Sequence, residues 1–184
     1  MQTSANVTAS KPKVEGACWR APVGTALPKD ATSPLNEAFK SLGYISEDGL
    51  TNTLSKETEK TKAWGGDVVN VQQTGLEVGY KVTLIEGLND EVLKAAHGDS
   101  NVTGTLSTGL EVKINSELQK AASWVFEMVL KEGAIKRIVV PSAKVDSIGD
   151  IVYNGKDPVG YELNLIAETD TEGQAAYEYI KKGA

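Results

Sequence analysis

The sequence predicts a mainly β domain, a β-sandwich or barrel-like fold with one or two short α-helices on its flank. Three observations carry this. Leu76, Val78, Tyr80, Val82 and Leu84 alternate with Glu77, Gly79, Lys81 and Thr83, the period-two pattern of a half-buried strand. Shorter runs of the same kind recur between turn signals through most of residues 100–168. Only two short segments carry a helical period.

Taken in order, residues 1–18 are rich in Ser, Thr, Ala, Lys and Gly and read as a flexible arm, with residues 19–184 as a single domain. Trp19 is the first anchored residue. Ala21 to Pro34 is irregular, because Pro22, Gly24, Pro28 and Pro34 oppose regular structure. Ser33-Pro34 reads as the start of a helix carrying Leu35, Ala38, Phe39 and Leu42 on one stripe and ending at Gly43. A long polar limb at about residues 50–66 follows. Val68 to Gln73 alternate, Thr74-Gly75 supplies a hairpin turn, and the strand of Leu76 to Leu84 comes next. Asn89 caps a second helix, Asp90 to Ala96, with acids at its positive end and Gly98 as its stop. Further strands are expected at Val102 to Leu106, Leu110 to Ile114, Ser123 to Leu130, Ile135 to Val140, Lys144 to Val152, Tyr161 to Ala167 and Ala176 to Ile180. Pro141 separates the fourth of these from the fifth.

Composition narrows the function. Hydrophobic residues make up 40% and charged residues 24% of 184, enough for one domain with a sizeable core. No run of eighteen apolar residues occurs, so no membrane insertion is expected. The polar start lacks the apolar segment of a secretory signal, and the glycosylation-like triplets at Asn6 and Asn101 read as chance. With 19 basic and 25 acidic residues the net charge is −6, which argues against a protein that grips nucleic acid by its phosphates.

No catalytic set stands out, so the chain reads as a non-enzyme without cofactor or metal. His97 is the only histidine and Cys18 the only cysteine, too few for the usual zinc ligands or for a nucleophile with its base and orienting group. His97 reads as a polar residue at a helix C-terminus and Cys18 as a small buried thiol. Glu168, Asp170 and Glu172 read as a solvated acidic turn, because their spacing departs from a calcium loop.

The limb is the informative stretch. Lys56, Glu57, Lys60 and Lys62 lead into Trp64-Gly65-Gly66, a large apolar ring beside two residues that lose much entropy on ordering. Such a limb is either a mobile loop or one that orders against another protein surface.

An ordered series of segments resembles the major tail tube proteins of long-tailed, non-contractile bacteriophages. It runs through Leu27 to Ala31, Phe39 to Thr51, Ala63-Trp64-Gly65-Gly66-Asp67, Lys81 to Glu86, Glu91-Val92-Leu93, His97-Gly98-Asp99, Ser123 to Phe126, Arg137 to Val145 and Gly160 to Leu163. Residues 1–18 carry no such likeness. The resemblance implies hexameric rings stacked into a tube, with the inner sheets closing into one barrel around a channel. It implies a loop or hairpin that reaches adjacent subunits, here with Trp64, Gly65, Gly66, Lys56, Glu57, Lys60 and Lys62 as contact residues. Implied partners are the tape-measure protein, the tail terminator and distal tail proteins, with viral DNA passing through unbound. The place would be the virion tail, after assembly in the bacterial host cytoplasm. Acids and amides are then expected on the channel wall, from Asn70, Gln72, Glu77, Glu111, Glu127, Glu162 and Asn164, with Lys81 and Lys113 paired to acids or turned away. The alternative is a monomeric β-sandwich that binds carbohydrate or another surface.

Overall fold

The computed structural model describes residues 4–183, so residues 1–3 of the expected arm lie outside it. Among the described residues eleven strands follow in chain order: β1 (Lys11–Pro12), β2 (Cys18–Pro22), β3 (Lys40–Ser41), β4 (Ile45–Lys62), β5 (Val68–Leu84), β6 (Val102–Thr105), β7 (Gly109–Val112), β8 (Ala122–Val129), β9 (Ile135–Ile148), β10 (Tyr161–Glu168) and β11 (Tyr177–Lys181). One α-helix occurs among the described residues, α1 (Asp90–His97). The predicted mainly β class holds.

Nine strands form one antiparallel sheet in the order β3-β2-β8-β9-β10-β5-β4, with β1 extending the β2 side of β8 and β11 pairing with β9; β6 and β7 form a separate hairpin. The sheet curls strongly. Tyr80 on β5 and Phe126 on β8 stand three strand spacings apart, about 14 Å in a flat sheet. Their rings nevertheless stack at 5.6 Å. The curl makes the arrangement sandwich-like and gives the sheet an inner and an outer face.

The inner face carries the main core: Val78, Tyr80, Val82 and Leu84 of β5, Leu163 and Leu165 of β10, Trp124 and Phe126 of β8, Ile138 and Val140 of β9. Helix α1 closes it with Val92, Leu93, Ala95 and Ala96. The Asn89 side chain accepts from Glu91 N at 3.0 Å, the cap read from the sequence. Cys18 is fully buried in this core, where desolvation pushes its thiol well above the usual range. His97 ends α1 with its ring edge-on to Tyr161 at 5.7 Å, and burial lowers its pKa. The neutral imidazole is therefore favoured, and packing rather than a cationic dipole contact explains its place.

The outer face is divided. Over β2, β8 and the first half of β9 it is covered by the segment 22–40, whose Leu27, Leu35, Ala38 and Phe39 pack on Ala21, Val125 and Val139. That segment is not the expected helix. The Asp30 carboxylate accepts from Thr32 N and Ser33 N at 2.6 Å each, and Asn36 Oδ1 accepts from Ala38 N at 3.0 Å. These side-chain turns offer the backbone an alternative to helical bonding. The apolar stripe still predicted burial, though Leu42 enters the inner core instead. Beneath the segment, Arg137 Nε donates to Glu127 at 2.8 Å while its two terminal nitrogens donate to the carbonyls of Asp30 and Ser33 at 2.8 Å each. This pair is almost fully buried and pins the segment to the sheet.

Two punctuation readings fail for backbone reasons. Pro141 does not end a strand, because β9 runs through it. It sits where β9 changes partner, from β11 at Ile135–Val139 to β10 at Ser142–Ile148, and where a register shift leaves Ser123 to donate to its carbonyl at 2.7 Å. A missing N–H breaks no ladder there. Thr74-Gly75 is not a turn either. β5 is continuous, and Glu57 faces Gly75 while Thr58 faces Gln73, leaving Thr74 as the extra residue of a bulge. The N-terminal segment lies along β8, where Lys11 and Pro12 pair with Val129 and Met128 and Lys13 reaches Glu127 at 3.4 Å. Trp19 Nε1 donates to the Gly16 carbonyl at 3.3 Å where that segment joins the domain.

Glu127→Ala should destabilise the subunit by about 3–5 kcal/mol in urea titration, because it leaves Arg137 buried without its counter-charge; a loss below about 1 kcal/mol would contradict the role given to the pair. His97 fixes a pH window. Its folded pKa lies below the usual 6.5, so the unfolded chain takes up the proton first as pH falls. This contribution is complete above about pH 6.5 and is lost as pH drops through the folded value. Asp99, held low by hydrogen bonds from Arg20, acts only in the carboxylate range below that. Thermal melts of His97→Gln should show a flatter dependence between pH 7 and 5, and an unchanged slope would refute this.

Candidate assembly surface

The long polar limb is neither loop nor disordered arm. It is a two-stranded hairpin, the distal parts of β4 and β5, and every residue from Thr51 to Thr74 is exposed. Its turn closes with Ala63 N donating to the Asp67 carbonyl at 2.8 Å and Gly66 N to the Ala63 carbonyl at 2.9 Å. Gly66 takes φ 93°, which explains the second glycine of Trp-Gly-Gly. Trp64 stands at the tip with its whole side chain in solvent, 106% exposed relative to a reference state. It is not buried under its own domain.

Antiparallel partners share a face, so the register assigns each side chain to one side. Leu54 faces Val78, Lys56 faces Leu76, Lys60 faces Val71 and Lys62 faces Val68. These residues continue the inner face of the sheet beyond the point where any core covers it. The opposite side pairs Ser55 with Glu77, Glu59 with Gln72 and Thr61 with Asn70, and it continues the outer face. Bulges at Thr74 and Val69 keep this segregation in phase along the hairpin.

Where β9, β10, β5 and β4 lie side by side, no segment among the described residues covers the outer face. Glu162 and Asn164 of β10 pair with Thr83 and Lys81 of β5, so they stand on the same side as Glu77, Gln72 and Asn70. Five of the residues expected on a channel wall thus share one bare polar surface. Its two lysines are both ion-paired: Lys81 with Glu162 at 3.4 Å and Lys144 with Glu168 at 2.6 Å. Hydrogen bonds from Lys144 and Ser142 hold the Glu168 carboxyl below its usual range.

The other two residues lie elsewhere. Glu127 is on the outer side but buried under the 22–40 segment against Arg137. Glu111 is on the separate β6-β7 hairpin, where Thr103 donates to it at 3.4 Å. Lys113, beyond β7, is exposed. The seven contact residues all fall on the distal hairpin, but on both sides: Glu57 faces outward while Lys56, Lys60 and Lys62 face the other way. Sequence reading missed Thr51, Thr53, Ser55, Glu59 and Thr61 as part of the polar face. The alternation of Lys56-Glu57 and Glu59-Lys60 was the signal for it, hidden by the absence of apolar residues.

A family model for phage tail tube proteins matches residues 1–184. The chain belongs to that family. The match includes residues 1–18, where the sequence showed no likeness. No curated protein matches it. The tail tube subunit is a structural component of the phage tail and assembles with other subunits into a tube, which favours this role over that of a monomeric binding module. No helix among the described residues is long and apolar enough to cross a membrane.

Trp64→Ala should leave the melting of the isolated subunit unchanged, within about 0.5 kcal/mol, because the Trp64 side chain is fully exposed among the described residues. Tube formation should require a higher protein concentration, since truncating an interface Trp often costs about 2 kcal/mol or more. Lost subunit stability with unimpaired assembly would contradict an inter-subunit role for the tip.

Proposed function

We propose that this tail tube subunit forms hexameric rings stacked into the tube of a long non-contractile tail, and that its bare polar face lines the channel through which the viral genome leaves. The observation that carries this reading is the mainly polar surface of β10, β5 and β4, interrupted by Ile166, with Asn70, Gln72, Glu77, Glu162 and Asn164 on one side and both of its lysines ion-paired. A basic wall would hold DNA by counterion release. A wall of acids, amides and hydroxyls repels the phosphates, retains water and lets the duplex slide. Six subunits of net charge −6 give a ring of −36.

The edges of the sheet support the same reading. β4 is a terminal strand eighteen residues long, and its outer edge has no partner strand among the described residues. A long unpaired edge invites pairing with another chain, and closing the sheets of a ring into one barrel removes it. During assembly the channel would hold the tape-measure protein, and the tail terminator and distal tail proteins would cap the two ends. The virion tail would be built in the bacterial host cytoplasm. The hairpin with Trp64, Gly65 and Gly66 at its tip would lie against a neighbouring subunit.

Electron microscopy of the purified protein tests this. Hollow tubes of constant width with sixfold end-on views are expected, and assembled tubes should not retain duplex DNA at low salt. Uniform monomers at every concentration, or tight salt-sensitive DNA binding by tubes, would contradict the proposal.

A further inference from the structure

The hairpin separates its charges by side, and among the described residues neither its positive side nor a negative site at its root has an ion-pair partner. Lys56, Lys60 and Lys62 share the inner-side phase with Leu54, Val71 and Leu76, which are 65%, 56% and 53% exposed. None of these lysines joins an ion pair among the described residues. This face is cationic and apolar together, a combination that needs an acidic and apolar counterpart.

Such a counterpart lies at the start of β4. Two adjoining clefts of about 300 and 470 Å³ run along the N-terminal segment and share Pro12, Ala17 and Ile45 in their walls. Ile45, Leu50 and Met128 give an apolar lining, and Glu47 and Asp48 stand at the edge. Neither acid is in an ion pair among the described residues. Lys11 also lines the first cleft, while Lys13 is already paired with Glu15 at 3.0 Å and with Glu127.

One subunit cannot join these two surfaces. Both belong to β4, and at about 3.3 Å per residue the strand holds Lys56, Lys60 and Lys62 roughly 25–45 Å from Asp48. A second copy can. We infer that the Lys56–Lys60–Lys62 face of the hairpin docks into the Glu47–Asp48 cleft of a neighbouring subunit, with Leu54, Val71 and Leu76 covered in the same contact. Because each copy offers its donor face and its acceptor cleft at separate places, the contact can repeat head-to-tail from one copy to the next. Repeated in that way it generates a ring or an open stack, as a tube requires. This inference rests on the tube reading and adds to it the surface that receives the hairpin.

Charge reversal with rescue tests the contact. Lys56→Glu/Lys60→Glu/Lys62→Glu and Glu47→Lys/Asp48→Lys should each raise the protein concentration needed for tube formation at least tenfold. An equimolar mixture of the two proteins should assemble, since either hairpin then finds a cleft of opposite sign in the other protein. Circular dichroism and melting of each subunit should match wild type, and the single changes Lys60→Glu and Asp48→Lys give the same comparison with less perturbation. Wild-type assembly by the triple variant, or a mixture as defective as its components, would overturn the contact while leaving the tube reading intact. Wild-type protein that never assembles would overturn the tube reading and the contact with it. If these lysines instead carry binding of a duplex oligonucleotide by the wild-type subunit, the occupant is nucleic acid and the inference fails.

Discussion

The constraint on which this structure depends is the fixed alternation of side chains along β4 and β5. Their register sends Val78, Tyr80, Val82 and Leu84 into the core and Glu77, Lys81 and Thr83 to the other side. The same register governs the hairpin beyond the core, where no packing enforces it. A one-residue slip of β4 would exchange its two faces, bringing Glu57 and Glu59 to the side of Val71 and Leu76 on β5. The bulges at Thr74 and Val69 absorb the extra residues of β5 and preserve the phase to the tip. A small globular core therefore orients a limb that projects well past it.

The two halves of the outer face show how one sheet serves two purposes. One half is covered by an irregular segment, held by Arg137 through the carbonyls of Asp30 and Ser33 and paired beneath with Glu127. The other half is polar and bare, with its two lysines matched to Glu162 and Glu168. The buried pair and the exposed pairs have different weight. Removing one partner of the first strands a charge in a low-dielectric site, whereas solvent-exposed pairs contribute little to stability and chiefly set local charge.

The sequence made the core legible because apolar alternation is a direct image of burial. The strands of Leu76 to Leu84, Ala122 to Val129 and Tyr161 to Ala167 and the helix capped by Asn89 were all readable in this way. Of the hairpin only the return strand was, from the alternation of Val68 to Gln73; the outgoing half of β4 carries almost no apolar rhythm, and its regularity lies in charges and hydroxyls. The helix expected after Ser33 failed because Asp30 and Asn36 bond their own backbone, a competition that an apolar stripe does not reveal. Pro141 misled because its lost donor falls between two partners of β9. Of the seven expected wall residues, five were brought together; Glu127 was not, since alternation assigns a side but not what covers it, and Glu111 was not, since alternation does not say which sheet a strand joins.

The proposed division of the hairpin into a polar face toward a channel and a cationic, apolar face toward protein is most directly tested by a cryo-EM reconstruction of the assembled tube. The side chains nearest the axis should be Asn70, Gln72, Glu77, Glu162 and Asn164, with Leu54, Val71 and Leu76 covered by neighbouring chains. An axis lined by Lys56, Lys60 and Lys62, or by the residues of α1, would contradict it.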